Sequence, residues 1–178
     1  QLKFAEFDVS EMSLSSFLIL LASGNRDWVG LPVFTSRRFF HTGSWVRTDR
    51  GIERPQDLRG KRVGVPEYQQ TAALWARGAL QHEFGVSPTE MEWFMERTPD
   101  RSHGGATGFQ PPAGVRLEYI PADKSIGSML LSGELDAALH YIADNNLVDR
   151  SRARLEDNPK VRLLFPDPEA EGQRYFAK

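Results

Sequence analysis

The sequence has no cysteine, which excludes a disulfide framework, a zinc-thiolate site, an iron–sulfur cluster and a thiol nucleophile. It has no surplus of positive charge either. Its 22 Lys and Arg stand against 24 Asp and Glu, a net charge of −2, so no global basic field exists to hold a phosphate backbone. Nucleic acid is not expected as a partner. The longest apolar run, residues 17–22, is about a third of the roughly 20 residues that cross a bilayer. No membrane span is expected, and no repeat recurs at a fixed period. What remains is ordinary: 178 residues, 40% hydrophobic, 26% charged and 11% aromatic. That is enough for one domain, or two small lobes, with a real core. The first residue is Gln1 rather than Met, and the chain is expected to be a fragment, incomplete at both ends.

The pattern alternates between short β-branched or aromatic runs and stretches of helical period, the signature of an α/β architecture. Residues 2–9 read as a strand. Leu14, Phe17, Leu18 and Leu21 recur at helical spacing, capped by Ser10 or Ser13 and stopped at Gly24. Residues 29–34 and 44–46 read as extended, with Arg37, Arg38 and His41 in an exposed connection between them. Pro55 opens a short helix ending at Gly60. A strand at 62–65 and a helix at 71–84 follow, the helix stopping at Gly85. Ser87-Pro88-Thr89-Glu90 offers a further helix start, which makes Glu90, Glu92 and Glu96 exposed helix charges. The Pro- and Gly-rich residues 97–114 read as a loop. A strand at 115–120, a helix at 126–132, a turn at Gly133 and a strand at 137–141 complete a second β-α-β unit. A strand at 161–165 and an Asp167-Pro168 turn come last. Strands 62–65, 115–120 and 137–141 are expected in one mainly parallel sheet with helices on both faces.

Three features suit an anionic ligand. Residues 67–71 join a strand to a helix, where backbone N–H groups and the positive helix end favour a carboxylate. Tyr68, Gln69, Gln70 and Thr71 are the contacts expected there. The plainer alternative is that Thr71 only caps the helix and Tyr68 only packs. Arg37, Arg38 and His41 form the second feature, because guanidinium forks match carboxylates and an imidazole exchanges a proton near neutral pH. Neighbouring side chains of an extended segment point opposite ways, so one arginine is expected at the surface and Arg38 in the site. Without a site the arginines pair with surface acids and His41 donates to a backbone carbonyl. The third feature is His140, at the end of a strand, with His103, in a glycine-rich loop. No metal is expected, since no histidine pair has ligand spacing and a site would draw on His41, His103, His140 and Asp144 from distant segments. His82 reads as a solvated helix residue, Asp136 as a support for its turn or strand, and Trp45 as the best of the four tryptophans to flank an aromatic ligand.

The segments EMSLSSFLILLASGN, GLPVFTSRRFFHTGSWVR, RPQDLRGKRVGVPEYQQTAALWARGAL and LSGELDAALH, in this order, resemble the type II periplasmic-binding-protein fold. Within it they resemble the 4,5-dihydroxyphthalate decarboxylase family. DLRGKRVGVP and SGELDAAL are shared widely across that fold, whereas PVFTSRRFFHTGSWVR followed by VPEYQQTAALWARG is similar to the decarboxylase branch. Phe40 departs from it, standing where the family usually places an Arg before the His. The resemblance implies a two-lobed protein, with residues 1–50 part of the first lobe and a crossover, 51–145 the second lobe, and 146–178 returning towards the first. It implies a cytoplasmic carboxy-lyase, able to form a homo-oligomer, that needs no cofactor and removes one carboxyl from 4,5-dihydroxyphthalate or a related small aromatic dicarboxylate. In that chemistry Arg38 and the Thr71 helix end clamp the retained carboxylate, His41 donates the proton, and His140 or Tyr68 addresses the hydroxyls. The same fold also serves non-catalytic solute-binding proteins for anionic organic acids and effector domains of transcriptional regulators, although no helix-turn-helix segment precedes it here.

Overall fold

The computed structural model describes residues 7–102, 107–143 and 149–178. Helix α1 spans Leu14–Ala22, strand β1 Trp45–Arg47, β2 Arg62–Val65, α2 Thr71–Phe84, β3 Glu92–Met95, β4 Arg116–Tyr119, α3 Ile126–Ser132, β5 Ala137–Ala138, β6 Val161–Leu163 and α4 Pro168–Phe176. The six strands form one sheet in the order β4-β3-β2-β5-β1-β6, parallel except for β1, which runs against both neighbours. The three strands expected together are together.

Alternation along the strands gives the sheet two apolar faces. Val63, Val65, Trp93, Met95 and Ala137 face one way and meet Ala73, Ala76 and Leu80 of α2. Phe94 and Ala138 face the other way and meet Ile126, Met129 and Leu130 of α3. Helices therefore cover both faces. Gly64 makes the second contact possible, because a Cβ there would lie 2.8 Å from Leu135 Cδ1 and 3.0 Å from Ile126 Cγ2. Asp136 supports its strand, as expected, by accepting from the Arg62 backbone N–H at 3.0 Å and from the Arg62 guanidinium at 2.8 and 3.1 Å. Burial pushes its carboxyl up, but the Arg62 bonds outweigh that and hold it below the usual range.

Several expected elements are corrected. Residues 29–34 form no strand. Their β-rich composition finds no partner, and Val29, Leu31, Val33 and Phe34 stand exposed. Residues 7–9 are also not a strand, and residues 2–6 lie outside the described part. The Ser87 capping box exists, with Ser87 N–H donating to Glu90 at 2.7 Å, but it closes only the 3-10 turn Pro88–Glu90. The chain then enters β3, so Glu96 is buried rather than a solvated helix charge. Its carboxylate accepts from Ile126 N–H at 2.6 Å and from Ser151 N–H and Oγ at 3.0 and 2.7 Å, tying the 149–151 segment to the start of α3. Asp167 caps helix α4, accepting from Ala170 N–H at 2.9 Å, where only a turn was expected. Among the described residues no helix is long and apolar enough to cross a membrane.

Candidate functional site

In a mainly parallel sheet the open crevice lies beyond the carboxyl ends of the strands. Three segments arrive there: residues 66–70 after β2, Glu96 and Arg97 after β3, and Leu139 and His140 after β5. Helix α2 opens on this edge with no cap from its own N-cap residue Gln70 and no acid in its first turn, so its positive end carries no anion of its own. The start of α1 meets it. Thr71 Oγ1 lies 2.8 Å from Ser13 Oγ and accepts from Ser15 N–H at 3.1 Å, while Thr71 N–H donates to Ser13 Oγ at 3.2 Å. Ser15 Oγ donates to the Gln69 carbonyl at 2.5 Å. Two helix N-termini and three hydroxyls thus converge on residues 69–71.

The four contacts expected in this loop divide. Tyr68 and Gln69 are buried in the protein: Tyr68 packs edge-on to Trp93, and Gln69 Oε1 accepts from Thr107 Oγ1 at 3.1 Å. Gln70 and Thr71 stay partly open, and the buried Gln70 Oε1 has no hydrogen-bond partner among the described residues.

Both arginines are exposed: the Arg37 guanidinium lies 5.7 Å from the Phe34 ring, and the charge of Arg38 is felt at His140. His140 is held in the left-handed region, φ 51°, with its ring edge-to-face on Phe40 at 5.3 Å. Burial, then the positive charge of Arg38, lowers its pKa to about 4. Asp149 opposes this and Arg97 adds to it. An imidazole held neutral beside two cations can accept a hydrogen bond and orient a hydroxyl group at neutral pH.

Next to it lies a set of charges not singled out from the sequence. Arg97 Nε and Nη2 donate to Asp149 at 2.7 and 3.3 Å, and its Nη1 lies 3.7 Å from Glu67. Glu67 also accepts from Ser102 Oγ at 2.7 Å and is 1% exposed. A strand position two residues after the last ladder pair was the available signal for Arg97. It was obscured because β3 reads as a helix.

His41 is where the expectation meets a correction. It is not in an exposed connection: it sits in the 3-10 helix Phe40–Gly43, 2% exposed, with Nε2 3.0 Å from Glu171 of α4. Its ring is 5.4 Å from Phe165 and 5.0 Å from Tyr175. Phe165 in turn touches Phe84, the last residue of α2, so His41 belongs to the closing end of α2 rather than to its opening. His103 and Asp144 lie outside the described residues. Among the described residues no three His, Asp or Glu are grouped to hold a metal ion. His82 is solvated, and Trp45, with Tyr141 and Arg154, lines a hollow of about 280 Å³ beside β5.

The fold is mainly parallel α/β, of the periplasmic-binding-protein-like class, and residues 29–100 match the NMT1/THI5-like family. The chain is 36% identical over 174 residues to a protein of Comamonas testosteroni and 35% identical over 174 residues to one of Pseudomonas putida, both named 4,5-dihydroxyphthalate decarboxylase. Each match takes in 98% of this chain, and the chain spans 51% of the first relative and 65% of the second. The resemblance to the 4,5-dihydroxyphthalate decarboxylase family therefore holds along nearly the whole chain.

Proposed function

We propose that this chain carries the substrate site of a carboxy-lyase that converts 4,5-dihydroxyphthalate, or a close aromatic dicarboxylate, to 3,4-dihydroxybenzoate and CO2. The observation that carries this reading is the 36% identity over 174 residues to a relative of that name, which runs through every segment of the strand-end crevice. Direct loss of CO2 would leave an aryl carbanion. Protonating the ring carbon that bears the carboxylate, with electron release from the para hydroxyl, makes the C–C bond easier to break, and no organic cofactor is needed for that. The retained carboxylate needs a cationic clamp, and we assign that role to Arg38 with the acid-free α2 opening at Thr71. The ring hydroxyls need a partner that orients them, and the neutral His140 can accept a hydrogen bond from one. His41, paired with Glu171, we assign to anchoring α4. We keep residues 51–145 as the body of the second lobe and assign β1 and β6, which share its sheet, to it as well. A cytoplasmic enzyme follows from the same reading, and cell fractionation checks it.

The test is incubation of the full-length protein with 4,5-dihydroxyphthalate while CO2 and ring absorbance are followed. Release of CO2 with appearance of 3,4-dihydroxybenzoate is expected. Tight binding without turnover would instead return the protein to the solute-binding class, which the NMT1/THI5-like match also accommodates.

A further inference from the structure

Two arginines are buried among the described residues, and they are held differently. Arg47 pairs with Asp49 at 2.6 Å, whereas Arg77 of α2, 6% exposed, meets no carboxylate among the described residues. Its guanidinium carbon lies 3.6 Å from the centre of the Tyr68 ring and 5.8 Å from that of Trp93, and its Nη1 donates to the Tyr68 carbonyl at 2.6 Å. Burial lowers its pKa to about 10, which still leaves it charged at neutral pH. A buried cation without a counter-ion costs stability, and an apolar side chain of similar volume would fill this place more cheaply. Stacking on two aromatic faces recovers part of that cost. The rest is explained by what Arg77 holds.

Tyr68 lies in the turn that joins β2 to α2. Its N–H meets Met95 Sδ at 3.3 Å, its ring is flanked by Trp93 and Phe109, and its carbonyl is taken by Arg77. Residues 69–71, where the two helices open, follow directly. We propose that Arg77 is a positioning residue for carboxylate recognition: without touching the ligand, it locks the Tyr68 carbonyl inward, fixes the 69–71 backbone, and adds a buried positive charge beneath a helix end that carries no acid. This rests on the reading above that a ligand carboxylate docks at that end. It makes Arg77, through Tyr68, a determinant of selectivity for anionic over neutral aromatic ligands.

The experiment measures binding of phthalate and of catechol to the full-length protein by titration calorimetry. Arg77→Met should weaken phthalate binding by about ten-fold or more, the scale of one lost charge-assisted interaction, and leave catechol within about two-fold. Arg77→Lys, which keeps the charge and loses the planar fork, should fall between. Tyr68→Leu should reproduce the loss, and the double variant should be no worse than Arg77→Met, whereas Tyr68→Phe should match the parent. Equal losses for both ligands, additive losses in the double variant, or unchanged phthalate binding would overturn the proposal. If Arg77→Met does not fold, Arg77→Lys and Tyr68→Leu decide, and parent-like phthalate binding in both overturns it. A parent that binds phthalate selectively but releases no CO2 from 4,5-dihydroxyphthalate defeats the decarboxylase reading and leaves this one standing. A parent that decarboxylates while Arg77→Met binds phthalate normally does the reverse, as does a parent that decarboxylates without binding phthalate, and a parent that neither binds phthalate nor releases CO2 overturns both.

Discussion

At the scale of single residues, the protein separates its histidines by environment. His140 takes its proton near 6.5 when unfolded and at about 4 when folded. Between those values the unfolded chain binds more protons, so stability declines as pH falls from 6.5 towards 4, to a ceiling of about 3 kcal/mol. Other carboxylates titrate in the same window, so the measure is the difference in denaturant-derived stability between parent and His140→Gln. That difference should drift against the parent as pH falls, and a flat difference would contradict the assignment. His41→Asn should behave otherwise. Loss of the buried pair with Glu171 should cost about 1–3 kcal/mol, while activity per folded molecule stays within a few-fold. A fall of about 100-fold at full folding would restore His41 to the proton-transfer chemistry. Arg38→Ala should weaken dicarboxylates by about ten-fold more than neutral catechols, whereas Arg37→Ala should change neither. That His41 turns towards α4 was not legible in the sequence, because its partner Glu171 lies 130 residues away.

At the scale of elements, legibility followed the strength of local signals. Helices α2 and α3 start and stop where the sequence indicates because Gly85 and Gly133 take left-handed backbones that other residues adopt at a cost, and Ser125 caps α3 by accepting from Ser128 N–H at 3.1 Å. Strand β3 was hidden by a capping box that belongs to a three-residue turn. Only its pairing with both β2 and β4 makes the Glu92–Met95 segment extended. The close seating of α3 on the sheet depends on Gly64, which supplies a further test. Gly64→Val should push against Leu135 and Ile126 and destabilise the protein by about 1–3 kcal/mol in thermal or urea unfolding. A neutral substitution would mean that the two side chains swing aside freely.

For the whole molecule, β2 and β5 have strand partners on both edges and apolar layers on both faces, while residues 25–38 form no helix or strand and expose several apolar side chains. Hydrogen exchange should therefore be slowest in β2 and β5 and fastest in residues 25–38, as local opening follows buried contacts. Exchange from β2 as fast as from that segment would show that the sheet is not the stable unit. The sequence by itself determined the α/β class, three of the strands that share the sheet, the bounds of α2 and α3 and the likeness to a decarboxylase family. These rest on periodicity, helix caps and short motifs, all of them local in the chain. Only the tertiary structure decided that His41 belongs to α4, that Arg97 and Asp149 stand beside His140, and that Arg77 lies under Tyr68. Those facts depend on which residues from distant segments share a low-dielectric space, where an unpaired charge or donor is costly and its partner is set by packing rather than by sequence spacing.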